Sequence, residues 1–530
     1  MKHNALILIM SICLFPMVAA ASNAELQNEI QQLQKQTQEL QAQLNRLQTQ
    51  LVKQSVPPKS IKPIKSRVPS GGKKMSPKAK KHLALAPFHT SSVTVNAPDA
   101  DPESLEFYPT ALVADNHVLT YIAGTPVVTS PYLGSRPAFD GSDYIVNISS
   151  INRDIRLMQQ RRSLYRAYEK IGYPVPNMPI IALSGKAEPI GILGQPYMGQ
   201  SKGDWTLGSN ELDVAALLND KIEAYMSLAY DASPPSVGGQ RVANSALALN
   251  MGFVNIGDLD ESPFYLTAGQ LFAPFGRYST SMVSAPLTMR LTRTKTRPVI
   301  LGYKSQKESG PFAALYGFRS DTTLGNSAAG GVNLGYIFDV FDGTSEIGAS
   351  FISSLNDSVG MQFSGSTPGT TFGGFAAPVN GSEAVHKIPG VGVHGSTSFD
   401  RYNLTAEWVG ATSRYRVQDL SFNGVGALPQ AVQLEGSVTF MAFKRPSSLS
   451  FGYQWSKDTL ALNLPEHRLS GVFNISIWKD TVESLEYRHD IDFNKNQFAN
   501  GASAPGFINA NTVGTGGAAD TLLAQIGVYF

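Results

Sequence analysis

Two things that stabilise most exported proteins are scarce in this sequence: cysteine and long apolar runs. Of 530 residues one is cysteine, Cys13. It lies in the opening stretch MKHNALILIMSICLFPMVAAASNAE, which has the basic start, short apolar core and Ala19-x-Ala21 site of a secretory signal peptide over residues 1–21. Ile12 is not the small residue that a lipidation site needs before its cysteine. The exported chain therefore has no cysteine, which excludes disulfide staples and thiol chemistry. Beyond the signal no apolar run is long enough for a membrane helix, which excludes an inner-membrane bundle. It does not exclude a barrel, whose alternating strands escape a hydropathy window.

Other absences narrow the function. The eight histidines are scattered without an HxxxH or His/Cys spacing, so no metal site is predicted. No serine sits in a strand–turn–helix setting that would make it a nucleophile, so neither an enzyme nor a cofactor is expected. Export excludes a nucleic-acid partner. The formal net charge is only +2.

Four segments are present. Over 22–54, Leu26, Ile30, Leu33, Thr37, Leu40, Leu44, Leu47 and Leu51 recur by fours and threes, a heptad seam that predicts a periplasmic α-helical coiled coil. Its glutamine flanks carry no charge code, so self-association is the expected pairing. Residues 55–104 form a basic linker rich in proline and glycine. From Lys53 to His82 ten residues are lysine or arginine and none is acidic. It is either a solvated spacer or a contact for cell-wall polymer or anionic lipid. Residues 105–178 form a small α/β segment, periplasmic or partly inside a barrel. Its helix, 149–172, carries Ile151, Ile155, Met158, Tyr165 and Ile171 on one stripe and Arg153, Arg156, Arg161, Arg162 and Arg166 on the rest. A solvated arginine face is the plain reading; a constriction inside the barrel is the other.

From 179 to 530, alternating segments recur in pairs, ELDVAALL-ND-KIEAYMSLAY being the clearest. Leu212, Val214, Ala216 and Leu218 share one face, and Glu211, Asp213, Lys221 and Glu223 point the other way, into what should be a wet lumen. Joints within pairs are short (DLDES, SQKESG, DVFDGT, KRPS, KD). Joints between pairs are long: 231–244, 272–292, 355–387, 412–429 and 493–519. That sorting is what bacterial outer-membrane barrels show. If the short turns are periplasmic, the last strand, TLLAQIGVYF, runs inward, and one outward strand, MPIIALSGKAEPIGI, must precede ELDVAALL. The predicted fold is all-β membrane, an antiparallel outer-membrane barrel of about 16 strands with both ends periplasmic.

Several stretches together resemble a known family: the glutamine-rich heptads, TYIAGTPVVTSPYLG (120–134), FDGSDYIVNISSINRDIRLMQQRR (139–162) and AGQLFAPFGRY (268–278). They resemble the LbtU-type siderophore porins of Legionella, related to the Francisella FslE/FupA iron-uptake proteins, over nearly the whole mature chain. The resemblance implies a sixteen-stranded outer-membrane barrel that takes up a ferric polycarboxylate siderophore without a TonB-type plug, and it carries over no residue-level site. An anionic ligand calls for fixed cations, and in TMRLTRTKTRPV the alternate residues Arg293, Lys295 and Arg297 form a candidate luminal ladder. The other reading of that ladder is an extracellular loop touching lipopolysaccharide phosphates. Arg153 and Arg156 of the helix are further candidates. The alternatives for the whole chain are a general diffusion porin and a structural envelope protein tethering the outer membrane to the cell wall.

Overall fold

The computed structural model describes residues 180–231, 248–320, 328–363 and 386–529, with gaps at 308, 341–342, 400, 418, 479–480 and 500–512. Before residue 180 it describes short strands between His89 and Val146, and the helical residues 154, 155, 157–159 and 161. The signal peptide, the heptad segment, the linker apart from His89–Thr90, Arg153 and Arg156 lie outside the described residues.

Sixteen strands form a closed antiparallel barrel. They are β1 (Ile180–Gln195), β2 (Lys202–Leu217), β3 (Ile222–Asp231), β4 (Ala248–Ile256), β5 (Phe264–Phe272), β6 (Val299–Lys304), β7 (Gly310–Arg319) and β8 (Ala328–Val340). The second half is β9 (Gly343–Ile352), β10 (Gly390–Phe399), β11 (Tyr402–Ala411), β12 (Gln430–Ala442), β13 (Arg445–Lys457), β14 (His467–Ile475), β15 (Thr481–Ile491) and β16 (Ala518–Tyr529). Each strand pairs with the next, and β16 closes on β1 from Asp520↔Gln195 to Tyr529↔Lys186. The closing strand is the carboxy-terminal alternating segment read from the sequence. Below Lys186, where β16 ends, Thr125–Thr129 pairs in parallel with β1 (Val127↔Ile181 to Thr129↔Leu183) and covers the edge left open. Among the described residues no helix is long and apolar enough to cross a membrane. The apolar surface lies instead on the outside of the strands, with Phe264, Leu315 and Phe451 about 60% exposed (59%, 62% and 64%). In lipid a strand edge cannot be satisfied by water, so closure and a greasy exterior form one requirement.

Two of the short joints come out shorter than their sequence signals, while DLDES and KD widen to 257–263 and 476–480. DVFDGT reduces to 341–342 because β8 runs to Val340, and KRPS reduces to Phe443-Lys444. Those two residues both take positive φ (52° and 62°), the paired left-handed geometry whose twist suits a two-residue hairpin. Lys221 does not point into the lumen. It stays in the β2–β3 turn, exposed, with Nζ 2.7 Å from Glu261. The joints at the other end are not uniformly long either: 196–201, 320–327 and 458–466 are modest.

Candidate functional site

The lumen is not simply wet, as the alternation had suggested. Inward carboxylates are satisfied by protein. Asp213 accepts the Tyr225 hydroxyl, Glu211 accepts the Ser227 hydroxyl, and Asn255 Nδ2 donates to Glu223 at 3.0 Å. Two segments of chain enter the barrel and supply most of the remaining partners.

The first is the joint between β5 and β6. It leaves the wall at Phe272 and turns at Gly276 (φ 75°) and Tyr278 (φ 59°). A Cβ at Gly276 would lie 2.4 Å from the Tyr278 ring, so glycine is required there. The loop then crosses the lumen, tied to six strands. From β9, Ser350 Oγ accepts the Gly276 N–H at 3.0 Å and Glu346 holds Arg277 Nη2 at 3.2 Å. From β11, Glu407 accepts the N–H groups of Arg277 (2.6 Å) and Tyr278 (3.0 Å) and the Thr288 hydroxyl (3.0 Å). From β12, Glu435 accepts the Ser281 N–H at 2.6 Å and the Thr280 hydroxyl at 2.7 Å, and Gln433 Nε2 donates to Ser279 O at 2.7 Å. Gln454 of β13 accepts the Leu287 N–H at 2.7 Å, and Arg468 of β14 donates to Ala285 O at 3.3 Å. Glu486 of β15 accepts the Ser284 N–H at 2.9 Å and its hydroxyl. A loop inside a barrel has no ladder for its N–H groups; ionised acceptors aimed from the wall replace one, at about 1.5–3 kcal/mol per charge-assisted bond.

The loop carries the short helix α1 (Leu287–Thr292), which packs against α2 (Val359–Phe363). Leu287, Leu291 and Phe275 join Leu355, Val409 and Leu460 in one buried apolar cluster. The loop therefore narrows the lumen as a packed body rather than a dangling chain.

At its far side lies a group of cations. Arg468 (β14) and Asp490 (β15) face each other across the ladder, with Nε at 2.7 Å and Nη2 at 3.1 Å from the carboxylate oxygens. Arg488, one inward position deeper, reaches the same carboxylate at 3.1 Å, with its side chain only partly open. Arg290, on α1, faces both guanidiniums. Burial first, and then the Arg468 and Arg488 charges, lower its pKa to about 10, so it remains cationic at neutral pH. Tyr197, from the β1–β2 joint, adds a phenol that burial first, and then Asp490 and Asp492, push up, keeping it a donor. Two guanidiniums thus hold Asp490, and Arg290 lies within reach of their charges. The neighbouring Glu486 is engaged by Ser284, and Asp492 accepts the Thr515 N–H at 2.8 Å. Neutral donors leave those two carboxylates their charges, so three guanidiniums and three carboxylates meet beside the constriction.

The second entering segment comprises the helical residues 154, 155, 157–159 and 161. Ile155 and Met158 pack against Leu259 and Tyr265. Asn255 Nδ2 donates to Asp154 O at 2.9 Å, and Arg161 donates to Gly257 O at 2.5 Å with Nη1 3.6 Å from Glu223. Arg161 is 3% exposed, so it is not part of a solvated face. Asn255 and Glu223 are inward residues near the short-turn end, which sets these helical residues inside that mouth of the barrel.

The ladder Arg293, Lys295 and Arg297 is placed differently from its luminal reading. Lys295–Thr296 continues the β5 pairing (Phe272↔Lys295) in the register of β6, so Lys295 and Arg297 fall in phase with Val299 and Leu301, which are exposed on the outer wall. Lys295 Nζ donates to Asn250 at 2.9 Å, and Arg293 lies over the Phe272 ring, 4.6 Å from its centroid. The inward residues of this stretch are Thr294 and Thr296, both buried. Arg290, Arg468 and Arg488 were missed from sequence. The signal was there for two of them, inward phase on adjacent strands near the long-loop end.

No family model matches the chain. Among solved structures it resembles an anion-selective porin from Comamonas acidovorans (TM-score 0.46, 11% identity, covering 66% of this chain and 100% of that one). It also resembles the outer membrane channel DcaP of Acinetobacter baumannii (TM-score 0.42, 13% identity, 68% and 99%). Likenesses this distant carry no argument about what passes through this barrel. Relatives by sequence are nearer. A UPF0422 protein of Legionella pneumophila strain Philadelphia 1 is 67% identical over 446 residues, 84% of each chain. A UPF0422 protein of Coxiella burnetii is 34% identical over 406 residues, 76% of this chain and 83% of that one. The chain belongs to the UPF0422 family.

Proposed function

We propose that this barrel is a non-enzymatic channel that imports an anionic ferric chelate of the polycarboxylate class. The observation that carries the reading is the presence of three luminal guanidiniums, Arg290, Arg468 and Arg488, among Asp490, Glu486 and Asp492 beside a loop fixed across the pore. Guanidiniums bind carboxylates in fork geometry, and a partly open cation group focuses an anion entering from outside. The resemblance to LbtU-type siderophore porins agrees with this chemistry, and a fixed constriction agrees with passage that needs no TonB-type plug. In this reading the heptad segment is a periplasmic self-association element and the basic linker a contact for the wall or anionic lipid.

The test is iron-limited growth of a deletion strain given purified ferric citrate or a larger ferric polycarboxylate, with conductance of the refolded protein measured in planar bilayers. Lost uptake together with anion-selective conductance is expected. Undiminished uptake with an unselective pore would reduce the protein to a general diffusion porin. The absence of any conductance would favour the tether.

A further inference from the structure

The cations expected in the lumen gather with others on the outside of the wall. Lys295 and Arg297 lie on the outer face of the wall, immediately beyond Val299 and Leu301 toward the long-loop end. Continuing the β6–β7 register Val299↔Gly317 by two residues sets Arg297 beside Arg319, the exposed last residue of β7, in phase with the exposed Leu315. Arg293 lies on Phe272 at the same rim. Lys387 reaches the crest of the next strand, donating to Ala328 O, and Ala328 is paired with Arg319. Five cations from separate parts of the chain thus gather on one arc of the rim, over β5 to β8.

We propose that this arc binds a phosphate-bearing lipid of the outer leaflet, with its acyl chains against Leu266, Val299, Leu301 and Leu315 and its phosphates between Lys295, Arg297 and Arg319. Three physical facts support it. Residues opposite each other in a ladder are about 5 Å apart and alternate residues about 7 Å apart, so the three heads converge on a space the size of a phosphate group. Like charges directly opposite each other in a ladder repel, and an anion between them turns that repulsion into two charge-assisted contacts. The position, at the upper edge of the apolar band, is where headgroups meet a barrel wall. Arg293, flat on an aromatic ring, and Lys295, steered by Asn250, present their charges from a side that lipid reaches and the lumen does not.

The test uses the full mature chain refolded in detergent. Native mass spectrometry counts lipid retained from bisphosphorylated lipid A, from the same lipid A after phosphatase treatment, and from phosphatidylglycerol. Wild type is expected to retain bisphosphorylated lipid A at least tenfold better than the dephosphorylated form, and the K295Q/R297Q/R319Q variant to lose that preference. Equal retention of the two lipid A forms by wild type would overturn the proposal without any variant having to fold. Equal retention of phosphatidylglycerol would overturn the assignment to outer-leaflet lipid. Since none of these measurements reads conductance or uptake, they stand or fall apart from the channel reading.

Discussion

The loop 273–298 and the helical residues 154–161 both occupy the lumen, yet they are held there by different chemistry. The loop has wall carboxylates accepting its backbone N–H groups at Arg277, Tyr278, Ser281 and Ser284, spread over three strands. The helical stretch brings a buried acid of its own, Asp154, to β4 and β5 and rests on one arginine contact to Glu223. The loop's hold is spread over many wall acceptors and an apolar cluster, whereas the helical residues rest on few contacts, one of them made by their own buried carboxyl. The comparison assigns the loop to permanent narrowing of the pore and the helix to a hold that conditions can loosen.

The largest expected effect breaks the first half of that contrast. Glu407 places two oxygens on three donors. Glutamine keeps one acceptor oxygen and adds an N–H facing other N–H groups, which costs about 2–4 kcal/mol where all are buried. E407Q/E435Q should release the loop, raise single-channel conductance about threefold or more in the manner of a widened constriction, and expose 273–298 to protease. Unchanged conductance with a protected loop would show that the apolar packing of α1 alone holds it.

Next comes selectivity. Arg290 lies on the loop and faces the Arg468–Asp490–Arg488 group. At an effective dielectric near 20, one charge removed at about 8 Å changes an anion's energy by about 1–2 kcal/mol. R290Q should lower the anion-to-cation permeability ratio and weaken ferric polycarboxylate block about tenfold, read from reversal potentials and from block of chloride current. A ratio unmoved by R290Q would separate the loop from the filter.

The helix gives a smaller effect with a sign. Burial raises Asp154 from the ordinary 3.8 to about 6, against hydrogen bonds that pull it down. A carboxyl whose folded pKa is raised binds its proton more tightly in the packed state. Packing is therefore strongest below about pH 4 and weakens as pH rises to 6, by at most about 3 kcal/mol for two pK units. Arg161 and Glu223 face the same pocket and keep the segment anchored. The protection factor at 154, 155, 157–159 and 161, the exchange rate divided into its intrinsic value at each pH, should fall between pH 4 and 6 and stay level in D154N. A wild-type profile already flat over that range would assign the packing to Ile155 and Met158 alone.

The wall was legible because its periodicity is two and its turns are short. Each hairpin from ELDVAALL onward has the expected partners, and TLLAQIGVYF closes the barrel. The contents of the lumen were legible only in part. Glu407, Glu435 and Glu486 stand at inward positions of their strands, so their presence could be read, but a period-two pattern does not say whether water or a loop satisfies them. Alternation also failed at TMRLTRTKTRPV. Its first residues wind into α1, so Arg290 is carried inward, while Lys295 and Arg297 keep the phase of β6 and face out. For Arg161 the sequence left a solvated face and a place inside the barrel both open, since a helical stripe identifies an apolar face but not a buried carboxylate waiting on another strand.

The smallest expected effect lies outside both luminal segments and sets the scale for them. Lys221 and Glu261 pair at 2.7 Å between two short turns, with side chains 53% and 60% exposed. The hydrogen bond and charge of Glu261 raise the Lys221 pKa, so whatever the pair contributes is complete at neutral pH and is lost only as pH climbs past the ordinary lysine range of 10.5. Water and salt screen such a pair, and two long side chains must be ordered to make it. K221A should leave the thermal midpoint, the conductance and the pH profile of the helix where they are in wild type between pH 6 and 9. A clear drop in midpoint would mean that the short turns form a cooperative rim, and that the hold on the helical residues, whose Arg161 bonds to Gly257 in the adjacent turn, begins there rather than in the lumen.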